Sequence, residues 1–165
     1  MAYPLQPLLS VRSFREDNAK AAVSAAEAAV RQAEEELTHR QAELERYRQW
    51  LPEEKERRYD AIMGKEMTMT DLEQFKAGLS LLDDGLLIRE DAVQEAENIV
   101  EKRKSELRAA QVALTAARKE KIKIETHKDI WAQAAAKEAE QAADRELEEF
   151  SPKTALQPPG HQEDS

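Results

Sequence analysis

Cysteine is absent from the 165 residues of the chain. This absence excludes disulfides, thiolate metal sites and a cysteine nucleophile, and it is compatible with a reducing compartment. Aromatic residues make up only 5% of the chain and hydrophobic residues 41%, whereas 36% are charged. Such a composition favours long solvated helices over a globule with a deep core.

Glycine and proline, which interrupt helices, are also scarce, with four glycines and six prolines. Only Pro52 lies in the middle of the chain, because the other prolines are Pro4, Pro7, Pro152, Pro158 and Pro159. The alternation of apolar and polar residues that is typical of strands has almost no support. We therefore predict an all-α protein.

The chain lacks a recognisable targeting or membrane segment. Pro4 and Pro7 break the one candidate apolar stretch near the N-terminus, and no basic region precedes it. No apolar run approaches the roughly 20 residues that span a bilayer. We expect a cytoplasmic protein without membrane insertion. The net charge of -9 also argues against general nucleic-acid binding, since a polyanion would be repelled.

Two series of aliphatic residues step by seven along the chain. The first is Val23, Val30, Leu37, Leu44 and Leu51, and the second is Leu72, Leu79, Leu86, Val93, Val100, Leu107 and Leu114. A strict seven-residue repeat is typical of helices that pack along a shared seam. We expect helix one over about residues 8–63, a turn at 64–70, helix two over about 71–150 and a disordered tail at 151–165.

The short turn predicts that the two helices form an antiparallel coiled-coil hairpin, with the second helix longer. If the aliphatic series occupy position a of the repeat, each of their members faces a d residue of the other helix, which pairs Val23 with Ala110 and Tyr47 with Leu86. In this register helix one begins opposite about residue 125. Residues from about 126 to 150 are therefore expected to lack an intramolecular partner.

Three local features refine the predicted helices. Thr70 and Glu73 have the spacing of a capping box, which predicts the start of helix two. Pro52 predicts either a kink in helix one or the start of a new helical segment. Residues 83–85, with two aspartates followed by a glycine, predict a local break in helix two.

Motifs for catalysis and metal binding are weak. Glu36 and His39 form an E-x-x-H, but the helical di-iron sites with this spacing need a second copy and two further glutamates. His127 lies near the edge of the seam without a credible partner for general-base work. Gly64 and Lys65 lack the other residues of a phosphate loop. We predict a non-enzymatic protein with no cofactor and no metal.

Most aromatic and methionine side chains gather around the turn, namely Tyr47, Trp50, Tyr59, Met63, Met67, Met69 and Phe75. A small core that closes the turn explains Phe75 and part of Tyr47. Trp50 and Tyr59 fit positions a and d less well. Exposed Trp and Tyr side chains favour a protein-binding patch, which is the alternative to a purely local core.

An ordered set of short motifs resembles the type III secretion stalk proteins of the YscO/SctO family, which are related in architecture to the flagellar protein FliJ. The motifs are LLSVRSFR at residues 8–15, YRQW at 47–50 with Glu53, Glu54 and Tyr59, IMGK at 62–65, DLE at 71–73 with Lys76, and ELEEF at 146–150. The resemblance covers nearly the whole chain to Phe150.

The resemblance implies a monomeric stalk that inserts into the hexameric secretion ATPase and links it to the export gate at the inner membrane. The end where the termini meet would bind the ATPase through Leu8, Leu9, Val11, Arg12, Phe14, Arg15, Lys119, Lys121 and Lys123. The tip would bind the cytoplasmic domain of the export gate through Tyr47, Trp50, Glu54, Tyr59, Leu72 and Phe75. Family members are also said to escort secretion chaperones, and the resemblance implies a role in virulence.

Two other functions also fit a helical hairpin. A prefoldin-like holdase would grip clients, but prefoldin subunits need strands between their helices, and the roughly seven residues of the turn cannot supply them. A homo-oligomeric coiled-coil scaffold would pair the unpartnered end of helix two with other copies. A stable dimer or hexamer in solution would favour the scaffold, whereas an elongated monomer would favour the stalk.

Overall fold

The computed structural model describes residues 2–150. Two α-helices, α1 (Gln6–Ile62) and α2 (Met69–Phe150), account for nearly all of them, and no strand occurs in this part of the chain. The predicted all-α fold of two helices, with the second helix longer, is confirmed. The predicted disordered tail, residues 151–165, lies outside the described residues.

The chain divides into two compact units. The turn unit is Asn18–Thr115, and the termini unit consists of Met1–Asp17 and Ala116–Ser165. Each unit contains part of α1 and part of α2, and within each the two segments run antiparallel. This arrangement follows from the connection, because residues 63–68 are all that separates the helices.

The core of the turn unit consists of residues at positions a and d of the seven-residue repeat. Its buried side chains are Ala33, Leu44, Leu51, Leu82, Ala96 and Val100. Contacts across the seam follow the predicted register, since Tyr47 contacts Leu82 and Arg89 on either side of Leu86. Burial of these apolar side chains stabilises the pair by about 25 cal/mol for each Å² removed from water.

The turn is closed by a left-handed glycine and a capping box. Gly64 has a φ of 75°, which only glycine adopts without strain, and it follows the last turn of α1. The Asp71 amide donates to the Thr68 hydroxyl oxygen (3.1 Å), and the Asp71 carboxylate accepts from the Thr68 amide (3.2 Å). The box predicted at Thr70 and Glu73 is therefore wrong by two residues. Thr68 and Asp71 have the same three-residue spacing as the predicted pair, so α2 begins earlier in the chain than predicted.

Both helices continue through the places where interruptions were predicted. α1 runs through Pro52, so the alternative of a new helix start there is wrong. α2 runs through residues 83–85, so the predicted local break is also wrong. Side chains support the backbone at this point: the Tyr47 hydroxyl donates to the Leu82 carbonyl, and Arg89 donates to the Gly85 carbonyl (3.0 Å).

In the termini unit, pairing extends further along α2 than predicted. Tyr3 is only 6% exposed, and its ring packs against Trp131 with a centroid separation of 5.4 Å. Its hydroxyl is hydrogen-bonded to Nδ1 of His127, and Lys128 donates to the Gln6 side chain (2.9 Å). The predicted loss of a partner from about residue 126 onward is wrong for the segment 127–131, because Tyr3 covers α2 from a position ahead of α1. All residues in the range 136–150 are exposed.

Candidate protein-binding surfaces

Tyr47 organises one surface site of the turn unit. Its ring lies 5.3 Å from the Trp50 ring, centroid to centroid, and the Arg89 guanidinium carbon lies 4.0 Å from the Tyr47 centroid. Gly85 makes this packing possible, because a Cβ at that position would collide with the Tyr47 hydroxyl. The glycine at position 85 of α2 thus allows Tyr47 of α1 to adopt this position.

A shallow groove of about 550 Å³ lies beside Tyr47 and contains both apolar and charged side chains. We call it the Tyr47 groove; it is lined by Arg40, Glu43, Arg46, Tyr47, Trp50, Ile88, Arg89 and Ala92. Trp50 is 38% exposed and Ile88 is 66% exposed, so apolar surface is open to solvent on both helices. Exposed apolar surface bordered by charge is typical of protein interaction sites.

Tyr59 and Phe75 form a second, separate aromatic contact in the turn unit. Their rings meet edge to face with centroids 5.2 Å apart, and Tyr59 is half exposed. Nine residues separate Trp50 from Tyr59, which is two and a half turns of helix, so the two side chains project from opposite sides of α1. The four aromatic residues predicted at the tip therefore form two separate sites. Leu72, at position a of α2, is partly buried.

Glu54 is held inside the turn unit by ion pairs. Its carboxylate accepts from Nε of Arg58 at 3.1 Å and lies 2.9 Å from Nη1 of Arg57, and only 13% of its side chain is exposed. A carboxylate with two arginine partners on its own helix stabilises that helix. Glu54 is thus less open to contact than Trp50 and Tyr59.

The predicted basic site of the termini unit separates into inward and outward side chains. Arg12 pairs with Glu120 at 2.8 Å, and Lys121 lies 3.5 Å from Glu16, which is a buried residue at position a. Both cations are therefore used inside the seam. Leu8 and Leu9 are also partly buried. The side chains that remain on the surface are Val11, Phe14, Arg15, Lys119 and Lys123, with Phe14 65% exposed.

Glu120 is the centre of this polar part of the seam. It accepts from Lys123 at 3.1 Å as well as from Arg12. Lys123 first, and then Arg12, holds the pKa of Glu120 below its ordinary value of 4.5, because both cations favour the ionised carboxylate. The ion pairs fix which residues of the two helices face each other here.

The sequence contained a signal for the Tyr47 groove that the seven-residue repeat does not capture. Leu81, Gly85, Ile88 and Ala92 are spaced by four, three and four residues, which places them on one side of α2 next to the seam. Leu81 and Ile88 are 69% and 66% exposed. Within this second apolar stripe, Leu81 and Ile88 form surface that α1 does not cover.

Comparison with known proteins places the fold and the family. The family model described as type III secretion protein YscO matches residues 5–153. The chain belongs to the YscO family. None of the curated proteins compared with it matches. Within residues 2–150, no helix is long and apolar enough to cross a membrane, and no cluster of side chains is suited to hold a metal ion.

Two solved structures of YscO proteins share the fold. A YscO homologue from Chlamydia trachomatis is 27% identical, with 91% of this chain and 92% of that chain covered and a TM-score of 0.71. Type III secretion protein YscO from Vibrio parahaemolyticus is 24% identical, with 88% and 92% covered and a TM-score of 0.82. The second of these similarities is one of fold. Both share the two-helix fold described above.

Proposed function

We propose that this YscO-family protein is a non-enzymatic stalk that links the hexameric secretion ATPase to the export gate. The observation that carries the proposal is the presence, in each unit, of exposed aromatic and apolar side chains outside the seam. In the turn unit these are Trp50 and Tyr59, and in the termini unit they are Val11 and Phe14. Such side chains cost solvation free energy unless a partner covers them.

In this proposal the termini unit binds the ATPase. Phe14 and Val11 supply apolar contacts, and the exposed cations Arg15, Lys119 and Lys123 supply charge. Arg12 and Lys121 act indirectly, because their pairing inside the seam holds the two helices in register. Of the ATPase-binding residues predicted from the sequence, the proposal thus keeps as direct contacts only those with exposed side chains.

The turn unit binds the cytoplasmic domain of the export gate in the same proposal. Trp50 and Tyr59 are the proposed contacts, with Tyr47 and Phe75 supporting them from the seam. The protein would then act in the cytoplasm at the inner-membrane secretion apparatus. Escort of secretion chaperones is a further part of the proposal and rests on family membership.

Two double variants test the proposal by pull-down against each partner. Replacing Trp50 and Tyr59 with Ala should abolish retention of the export-gate domain and leave binding to the ATPase intact. Replacing Val11 and Phe14 with Ala should have the opposite effect. Circular dichroism of both variants should match the wild-type protein, because each removed side chain is at least one-third exposed.

The contrary outcomes are equally specific. A protein that retains neither partner would contradict the stalk, and a loss of helicity in the Trp50 and Tyr59 variant would show that these residues are core. A stable dimer or hexamer in sedimentation would favour the homo-oligomeric scaffold. Suppression of client aggregation without binding to either secretion partner would favour the holdase.

A further inference from the structure

We propose that the Tyr47 groove binds an amphipathic helix of a partner protein, one with an apolar stripe and a row of carboxylates along one edge. The inference goes beyond the assignment of Tyr47 and Trp50 to a gate-binding tip, because it names the chemistry that the groove recognises. It rests on the proposed function only for the identity of the protein that carries the helix.

The apolar part of the groove lies on both helices. Trp50 of α1 and Ile88 of α2 line it with exposed side chains, and Ala92 of α2 also lines it. Leu81, one heptad before Ile88 and 69% exposed, continues the apolar surface toward the turn. A partner that covers these side chains removes apolar area from water, which drives association.

The charge of the groove selects an acidic partner. Arg40 is neutralised by Glu36 at 2.9 Å and Glu43 at 3.3 Å. Arg46 donates only to the Ala42 carbonyl, and Arg89 donates to a carbonyl and stacks on Tyr47. Across residues 2–150, no carboxylate lies within ion-pairing distance of Arg46 or Arg89. Two guanidinium groups of the groove thus have no carboxylate partner among the described residues, and arginine binds carboxylates with two parallel hydrogen bonds.

The geometry favours a helix over an extended peptide. An added strand binds through main-chain hydrogen bonds to a sheet edge, and α1 and α2 use their own backbone groups within each helix. The groove extends along α1 from Arg40 to Trp50, about 15 Å at 1.5 Å per residue, which is nearly three turns of a docked helix. Apolar residues of the docked helix, spaced by three and four, would cover Trp50 and Ile88, and the carboxylates along one edge of that helix would meet Arg46.

A second copy of this chain is the main competing occupant. The end of α2 carries exposed Leu147 and Phe150 among Glu146, Glu148 and Glu149, so it has the same apolar and acidic character. Docking of this segment in the groove of another copy would be a head-to-tail contact, which forms rings or open chains of molecules. Such growth depends on concentration and is visible in sedimentation.

The test uses the full chain and a designed probe, a fluorescein-labelled helical peptide of about 20 residues with leucines spaced by three and four. One version carries glutamates along one edge, and a matched version carries lysines there. Fluorescence anisotropy should show the glutamate peptide binding about tenfold more tightly than the lysine peptide. Equal affinities, or no binding of the glutamate peptide, would overturn the proposal.

Matched variants locate the binding. Ile88→Asp should lower the affinity for the glutamate peptide about tenfold or more, whereas Val112→Asp should change this affinity by less than about twofold. The control is close, because Val112 lies on the same helix and is 70% exposed, against 66% for Ile88. Similar effects of the two variants would show that binding is not in the groove and would overturn the proposal.

A charge exchange tests the role of the guanidinium groups. Arg46→Glu should lower the affinity for the glutamate peptide and raise the affinity for the lysine peptide by about tenfold each. Arg108→Glu, on the exposed surface of α2, should change neither affinity. Unchanged preferences in Arg46→Glu would contradict acidic recognition.

Growth of the sedimentation coefficient with protein concentration, lost in Ile88→Asp, would assign the groove to a second copy and overturn the proposal in favour of self-association.

Binding of the export-gate domain to the same variants separates this inference from the proposed function. Peptide binding in the groove without any gate binding would leave the recognition chemistry standing and refute the stalk. Failure of the wild-type protein to bind the peptide, together with gate binding that survives Ile88→Asp, would refute the groove and leave the stalk standing.

Discussion

The guanidinium carbon of Arg89 lies 4.0 Å from the centroid of the Tyr47 ring, and both residues occupy position d of the repeat on opposite helices. The hydroxyl of Tyr47 lies beside Gly85 and donates a hydrogen bond to the Leu82 carbonyl of α2. A seam position that would ordinarily bury an aliphatic side chain therefore supports a hydrogen bond, a cation-π contact and one wall of a surface groove.

Gly85 should be sensitive to the addition of a single methyl group. In Gly85→Ala the new Cβ collides with the Tyr47 hydroxyl, so the ring must move and the hydrogen bond to Leu82 is lost. We expect the free energy of unfolding to fall by about 1–2 kcal/mol, measured by thermal and urea denaturation followed by circular dichroism.

Gly78 provides the control for that experiment. A Cβ there would lie 3.2 Å from Nη1 of Arg58, the far end of a flexible side chain that can move. Gly78→Ala should raise stability by up to about 1 kcal/mol through helix propensity. Equal stabilisation by the two substitutions would show that Tyr47 does not pack against Gly85 as described.

The capping box at the start of α2 predicts different effects for two threonines that are two residues apart. Thr68→Ala should lower the free energy of unfolding by about 1 kcal/mol, because the Asp71 amide loses its acceptor. Thr70→Ala, inside the first turn, should have little effect. A larger loss for Thr70→Ala would restore the box first predicted from the sequence.

The ion pairs of Glu120 predict an acid-dependent contribution to stability. Its pKa is held below the ordinary value of 4.5 by Lys123 and then Arg12, so the folded state binds the proton less readily than the unfolded state. The stabilisation is therefore present above pH 4.5 and disappears as the pH falls through the lower folded pKa. Glu120→Gln should have a lower Tm than the wild type at neutral pH.

The Tm difference between wild type and Glu120→Gln should shrink as the pH falls below 4.5. Glu140→Gln, at an exposed position of the same helix, provides the control and should leave the Tm nearly unchanged at either pH. A difference between wild type and Glu120→Gln that is constant with pH would contradict ionic stabilisation at this site.

Tyr3 should control the environment of Trp131. Its ring covers the indole in the termini unit, so Tyr3→Ala should shift Trp131 fluorescence to longer wavelength and increase its quenching by acrylamide. The measurement is made in a Trp50→Phe background, because Trp50 is the other tryptophan of the chain. Unchanged emission would contradict the contact between Tyr3 and Trp131.

The seven-residue repeat predicted the fold class and the register well, because every buried side chain of the turn unit lies at position a or d. It gave no account of Tyr3, which precedes α1 and has no place in the repeat. The break predicted at residues 83–85 came from the low helix propensity of glycine. That preference was overridden by packing, since Tyr47 needs the space that Gly85 leaves.

The candidate sites were predicted less completely than the fold. The sequence identified Trp50 and Tyr59 as poor seam residues, but their spacing on α1 separates them into two sites. It also grouped Arg12 and Lys121 with the surface cations, although both are paired across the seam. Whether a cation faces a partner or a neighbouring helix depends on the residue opposite, and composition alone does not specify that residue.

The central claim is that one chain binds the ATPase and the export gate at the same time through different units. Sedimentation velocity of labelled protein mixed with the purified ATPase hexamer and the export-gate domain tests it most directly. The account predicts a single boundary that contains all three proteins, with one labelled chain for each hexamer. Displacement of the chain from the ATPase by the gate domain, or failure to sediment with either, would contradict it.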